Sequence, residues 1–345
     1  MSESKFRWPH ELGLHAGEWV TVRSAEEILG TLDERARLDN LPFQPEMLAF
    51  CGQQLRVFKV AHKTCDNIEK TGGRRMRNAV HLEHARCNGS VHGGCMADCV
   101  FFWKEAWLKR ASDTTPAQPP PAMVSQADVR RHAMVPQEDA SREPVYVCQT
   151  TALYEATTQL HWWDLRQYIR DITSGNHDAW HMTKLLLFAG YRHLVNTGYG
   201  YRLLVSAFNR FQRLRGGKPY PLGSGVIADG HPTPTETLNL RPGEWVEIKP
   251  ISEILQTITR GGFNRGMRYD LEMSKYCGER HRVQMRVDKL INEKTGTMMQ
   301  MKSPCIQLED VYCRAECTPK RIGCPRASNT YWREIWLRRV DGPEG

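Results

Sequence analysis

The sequence predicts an α+β protein: two homologous small β-barrel-like domains, with SH3-like as the candidate barrel type, joined by a helical segment. Three observations carry this reading. Residues 17–110 and 243–340 are two versions of one segment. Each version alternates apolar and polar residues in short runs bounded by turn residues, which suits half-buried strands. Between them, residues 150–215 place apolar side chains at helical spacing.

The repeat is read directly. Gly17-Glu18-Trp19-Val20 matches Gly243-Glu244-Trp245-Val246, and Glu27-Ile28-Leu29 matches Glu253-Ile254-Leu255. Cys51-Gly52, Arg56-Val57, Leu82-Glu83 and Cys87 have counterparts in Cys277-Gly278, Arg282-Val283, Leu308-Glu309 and Cys313, at a shared offset of 226 positions. Both copies close on Trp-basic-Glu-x-Trp-Leu-basic-Arg, Trp103 to Arg110 and Trp332 to Arg339. So regular a match means duplication.

Within the first copy, Trp19, Val20 and Val22 open a strand. Ser24 precedes Glu27 by three residues, a capping-box signature for a short helix over Ile28 and Leu29. Pro42 and Pro45 end that stretch, and a strand-like run spans 48–61. A turn at Lys70-Thr71-Gly72-Gly73 leads into a strand through Ala79, Val80 and Leu82. The cysteine-rich loop covers 87–99, and the closing segment from Phe101 to Lys109 fits strand or helix. Residues 1–16 read as a leader. Residues 111–149, with Pro116, Pro119, Pro120 and Pro121, read as a linker. Helices follow on Trp162 to Ile172, then after a cap at Asp178, then from Leu203 to Leu214. They pack as a small bundle, clamp the barrels, or lie on a membrane surface through faces that alternate with Arg202, Arg210 and Arg213. Residues 216–242 return the chain to the second copy.

The 345 residues carry a formal charge of +8, a mild excess that gives a weak expectation of anionic partners. With 40% hydrophobic and 25% charged residues, the composition is that of a soluble globular protein without a bilayer-spanning run. The N-terminus lacks the apolar core of a secretory signal, so the expected location is the cytoplasm. There, eleven cysteines are poor material for disulfides. Metal or cluster ligation is the more economical use.

The candidate ligands are Cys51, Cys87, Cys95 and Cys99 in the first copy and Cys277, Cys313, Cys317 and Cys324 in the second. Each set has one remote cysteine and three clustered ones. Four thiolates from two chain segments surround one Zn²⁺ or hold one iron–sulfur cluster. Cys324-Pro325 resembles the closing ligand of a ferredoxin cluster and tilts the reading towards iron–sulfur. Buried core cysteines are the alternative. Cys65, Cys148 and Cys305 fall outside the sets and read as spare core thiols. His81, His84 and His92 stand near the first loop as further ligands or acid–base groups. Glu83 and Glu309 match across the copies and read either as residues that orient the ligands or as members of surface or interstrand ion pairs. The repeated Trp19, Trp107, Trp245 and Trp336 read as core anchors.

Phosphate loops, nucleophile elbows, His-Glu-x-x-His and dinucleotide fingerprints are missing from the sequence. Residues 26–29, the Cys87 to Trp107 run and Trp332-Arg333-Glu334-Ile335-Trp336-Leu337 resemble a bacterial family of tandem-repeat, cysteine-rich proteins encoded near biosynthetic genes. The resemblance covers most of the chain outside the linker. It implies a setting and no activity. The expected function is therefore a cysteine-ligated metal or iron–sulfur protein with a redox or catalytic role in a bacterial small-molecule pathway, its partner a pathway enzyme or redox protein. The alternative is a zinc-stabilised module that binds a partner protein or nucleic acid. Nucleic acid is the weaker partner, because aromatic residues are not interleaved with the basic loops.

Overall fold

The structure, a computed structural model, describes residues 11–112, 121–137, 139 and 141–342. Most of the expected leader and residues 113–120 of the expected linker lie outside the described residues.

The fold is mixed α+β with mostly antiparallel sheets. In the first copy β1 (Trp19–Val22) leads to α1 (Ala25–Leu29), then β2 (Arg37–Leu38), β3 (Leu41–Pro42) and a 3₁₀ turn at Pro45–Phe50. Next come β4 (Gln54–Val60), β5 (Lys63–Cys65), β6 (Gly73–Arg75), β7 (Ala79–Leu82), β8 (Trp103–Lys104), a second 3₁₀ turn (Glu105–Trp107) and β9 (Leu108–Arg110). Strands β8-β7-β4-β1-β9 form one five-stranded sheet. The Ser24 capping box is present, with Glu27 N–H donating to the serine hydroxyl and the Glu27 carboxylate accepting from Ser24 N–H.

After α2 (Gln126–Arg131) come β10 (Thr158–Leu160), α3 (Arg166–Thr173), α4 (Ala179–Asn196) and α5 (Tyr201–Leu214). Asp178 caps α4 by accepting from His181 N–H at 2.8 Å. The second copy repeats the first: β11 (Trp245–Ile248), α6 (Ile251–Leu255), β12 (Phe263–Asn264), β13 (Met267–Arg268), a 3₁₀ turn (Leu271–Tyr276), β14 (Arg280–Ile291), β15 (Met298–Leu308), a 3₁₀ turn (Glu334–Trp336) and β16 (Leu337–Arg339). Its main sheet runs β15-β14-β11-β16. Registers correspond as well: Trp19 pairs with Arg56, and Trp245 with Arg282.

The compact units do not follow these sequence boundaries. One comprises Met1–Met182, Lys289–Gln300 and Gly323–Arg326, and the other Thr183–Asp288, Met301–Ile322 and Ala327–Gly345. The first core gathers Val20, Val22, Ile28, Phe43, Val57, Val80 and Trp107, and also Val124 and Val129. From the described part of the expected linker, Val124 and the α2 residue Val129 reach this core, while most of their neighbours are exposed. The second core is built on Val246, Ile248, Tyr269, Val283, Trp332 and Trp336. Strand alternation corrects one expectation. Val20 and Val22 point inward, so Trp19 points outward and is 58% exposed, while Trp107 and Trp336 are sealed. Trp245, at the matching place, is half-buried.

In the second unit α4 and α5 meet through Phe188, Tyr191, Phe208 and Tyr220. Their other faces leave Leu187, Leu203 and Leu214 exposed. No described helix is long and apolar enough to cross a membrane.

Candidate metal centre

The loop between β7 and β8 is drawn shut by Cys87 N–H, which donates to the Cys99 carbonyl at 2.8 Å. Inside it, His92 and Gly94 donate their N–H groups to the Gly89 carbonyl, and Cys95 N–H donates to His92. Gly89 sits at φ +67, where a Cβ would come 2.1 Å from the Cys95 carbonyl oxygen. Only glycine permits that approach, which folds Cys95 back over Cys87.

Cys87, Cys95 and Cys99 line one pocket in the first unit, and the fourth cysteine on its wall is Cys148. Cys51 is not among the lining residues; it lies against the first core and its thiol is pushed up to about 11 by burial. Cys148 is held there by Gln149. That side chain accepts from Phe102 N–H at 2.8 Å and donates to the Phe102 and Pro42 carbonyls, while Gln149 N–H donates to Gln44 Oε1 at 2.9 Å. Gln44 in turn directs its amide at Cys87 Sγ, 3.7 Å away.

Backbone amides are aimed at the sulfurs. Ile291 N–H donates to Cys95 Sγ at 3.4 Å. Gly89 N–H bears on Cys87 and Ala97 N–H on Cys95, each two residues beyond the thiol it serves. Burial, followed by the charge of Glu46, nevertheless pushes the Cys87 thiol up to about 12. Burial raises Cys95, and raises Cys99 well above the ordinary range although buried Arg326 works against it. Without a cation, burial keeps Cys87, Cys95 and Cys99 as thiols. With one, donors to thiolate sulfur are already in place.

Glu46, from the 3₁₀ turn before β4, was not legible as a site residue. Its Oε1 accepts from Val91 N–H at 3.0 Å and from His92 Nδ1 at 2.7 Å. Burial alone would raise this carboxyl, but the hydrogen bond and charge of His92 hold it below its ordinary value. Its Oε2 is buried with no partner. Donor atoms of Glu46, Cys87 and His92 lie within 4.8 Å of one another, a grouping that could hold an ion. His92 Nε2 faces the Val147 carbonyl at 3.1 Å, so both ring nitrogens are engaged and the ring positions the loop. His81 is fully buried and only half committed, its Nε2 having no partner. Its Nδ1 meets the Phe101 carbonyl at 2.8 Å, and burial lowers its pKa to about 4. His84 is exposed in a turn.

In the second copy, Cys277, Cys313 and Cys317 belong to the second unit, whereas Cys324 belongs to the first. Glu272, the counterpart of Glu46, accepts from Glu316 and Cys317 N–H at 3.0 and 2.6 Å. Cys317 is pushed up to about 12 by burial and by Glu272. Buried Cys277 faces the Tyr269 hydroxyl at 3.5 Å. Cys65 and Cys305 are buried, Cys305 with its thiol pushed up to about 11 by burial. No family model matches the chain, and no curated protein matches it.

Proposed function

We propose that the first unit holds a thiolate-ligated metal centre on Cys87, Cys95, Cys99 and Cys148, serving a redox or catalytic role in a small-molecule pathway in the cytoplasm. The observation that carries this reading is the convergence of four cysteines, three from one loop and one from a distant segment, on a single pocket. The residues suit the group. Amide donors stand at two of the sulfurs, Arg326 favours negative charge at Cys99, and the glycine at 89 lets the loop close. A cluster would supply one-electron chemistry, while these side chains fix its ligands and keep water away. In this reading the two copies descend from one SH3-like barrel domain. A pathway enzyme or redox protein is the partner in view.

The partnerless Glu46 Oε2 favours a second reading. Zinc accepts mixed sulfur and oxygen donors, so Glu46 with the loop cysteines would make a zinc-stabilised module. Elemental analysis and a visible spectrum of anaerobically purified protein decide between them. A broad band near ~400 nm with stoichiometric iron supports the cluster, and a colourless protein with zinc supports the module. Protein purified with neither metal, and binding neither on reconstitution, refutes both.

A further inference from the structure

We propose that the second repeat carries an anion site that the first repeat has closed: a pocket over Arg265, Lys302 and Arg333 that takes a phosphate group, free or carried on a small molecule. The inference rests on comparing matched positions and is independent of the thiol centre.

In the first copy β2 and β3 are joined by a two-residue turn, Asp39 and Asn40, both left-handed at φ +51 and +61. Lys104, buried beside it, donates through Nζ to Asp39 Oδ2 at 2.9 Å and to the Arg77 carbonyl at 2.9 Å. The carboxylate neutralises the ammonium group. In the second copy the turn is Arg265 and Gly266, again left-handed at φ +48 and +79. Arg333 stands at the Lys104 position, and Ser303 at that of Arg77. Arg333 is 6% exposed. Its guanidinium donates to the Ser303 and Pro304 carbonyls and to those of Asn264 and Arg265, while Nε is buried without a partner. The acid that answers the buried cation in one copy is a second cation in the other.

Four neutral carbonyls do not cancel a buried positive charge, and such a charge left alone is costly. The turn gains nothing locally from Arg265 either, because left-handed turn positions favour asparagine, aspartate and glycine. The pocket above is lined by Thr235, Thr237, Arg265, Arg286, Lys302 and Ser303, with Glu236 and Glu334 also on its wall. Both acids are occupied: Glu334 by two backbone N–H groups and Arg286, Glu236 by Lys249. Among the described residues, Arg265, Lys302 and Arg333 have no carboxylate in ion-pair range. Cations from three segments beside three hydroxyl groups match the charge and the several acceptor oxygens of a phosphate.

The test is thermal unfolding of the full chain against inorganic phosphate and glycerol phosphate, with chloride and acetate at matched ionic strength. A saturable rise in Tm is expected with the phosphates alone, about 5 °C at a hundredfold excess over Kd. A tighter response to the ester assigns the site to a phosphorylated molecule, and a tighter response to the free ion assigns it to inorganic phosphate. Arg265→Asp, which reinstates the acid of the first copy, should abolish the rise, as should Lys302→Ala. Arg265→Asp should be at least as stable as the parent without phosphate, which separates lost binding from lost folding. No saturable rise in the parent, an equal rise with acetate, or an unchanged rise in Arg265→Asp overturns the proposal.

Discussion

Trp107 Nε1–H donates to Thr31 Oγ1 at 3.1 Å, and that hydroxyl donates onward to the Ile28 carbonyl at 2.7 Å. The second copy does the same with Trp336, Thr257 and Ile254, each step at 2.8 Å. One hydroxyl at a helix end thus satisfies a sealed indole and a helix carbonyl together. Thr31→Val and Thr257→Val keep the shape and orphan the indole N–H, so each should destabilise by about 1–3 kcal/mol in guanidinium unfolding. Trp19→Ala, on an outward strand position, should cost no more than ~0.5 kcal/mol.

Cys148 and Cys51 separate the pocket seen in the structure from the ligand set expected from the repeat. Cys148→Ser should lower metal content in anaerobically prepared protein to well below one equivalent, whereas Cys51→Ser should leave it intact. The reverse pattern would return Cys51 to the ligand set.

Asp171 is fully buried, with His62 Nε2 at 2.8 Å and Lys63 Nζ at 2.5 Å. Asp171→Asn would remove the buried carboxylate that faces both the Lys63 ammonium group and His62, and a loss of about 3–5 kcal/mol is expected. A loss under ~1 kcal/mol in denaturant titration would mean that the pair is not ionised in the folded protein.

Glu334 sets a pH limit. Burial alone would raise its carboxyl, but Leu240 N–H, Leu238 N–H and Arg286 more than offset this and hold it below the ordinary 4.5. The unfolded chain therefore binds this proton first as pH falls. The stabilisation is complete at neutral pH, begins to decline near 4.5 and is gone below the folded pKa. Glu334→Gln should be less stable at pH 7 and lose less on acidification to pH 3. Parallel stability curves for parent and variant would show that this carboxylate is not the titrating group.

The duplication was legible because matches from Trp19 and Trp245 to Cys87 and Cys313 keep a single separation, and Ser24 and Asp178 announced their helices by side-chain chemistry alone. Glu46 and Glu272 were not, since they sit on 3₁₀ turns where no motif marks a lone carboxylate. Only the fold shows that each receives N–H groups from a distant loop. Cys148 was hidden for another reason. It follows a proline-rich stretch, and its place on the pocket wall depends on Gln149 bonding across more than 40 residues to Phe102. Trp19 misled because repetition marks a shared strand without saying which face a residue takes.

Ile291 and Lys289, which bond Cys95 and Met96, are encoded nearly two hundred residues after the loop they support. During synthesis the nascent loop therefore waits about 10–40 s at ordinary elongation rates before the hairpin that braces it emerges. A gene fragment stopping between the copies would yield an unfinished first unit. The twins, once doubled, can no longer be inherited apart.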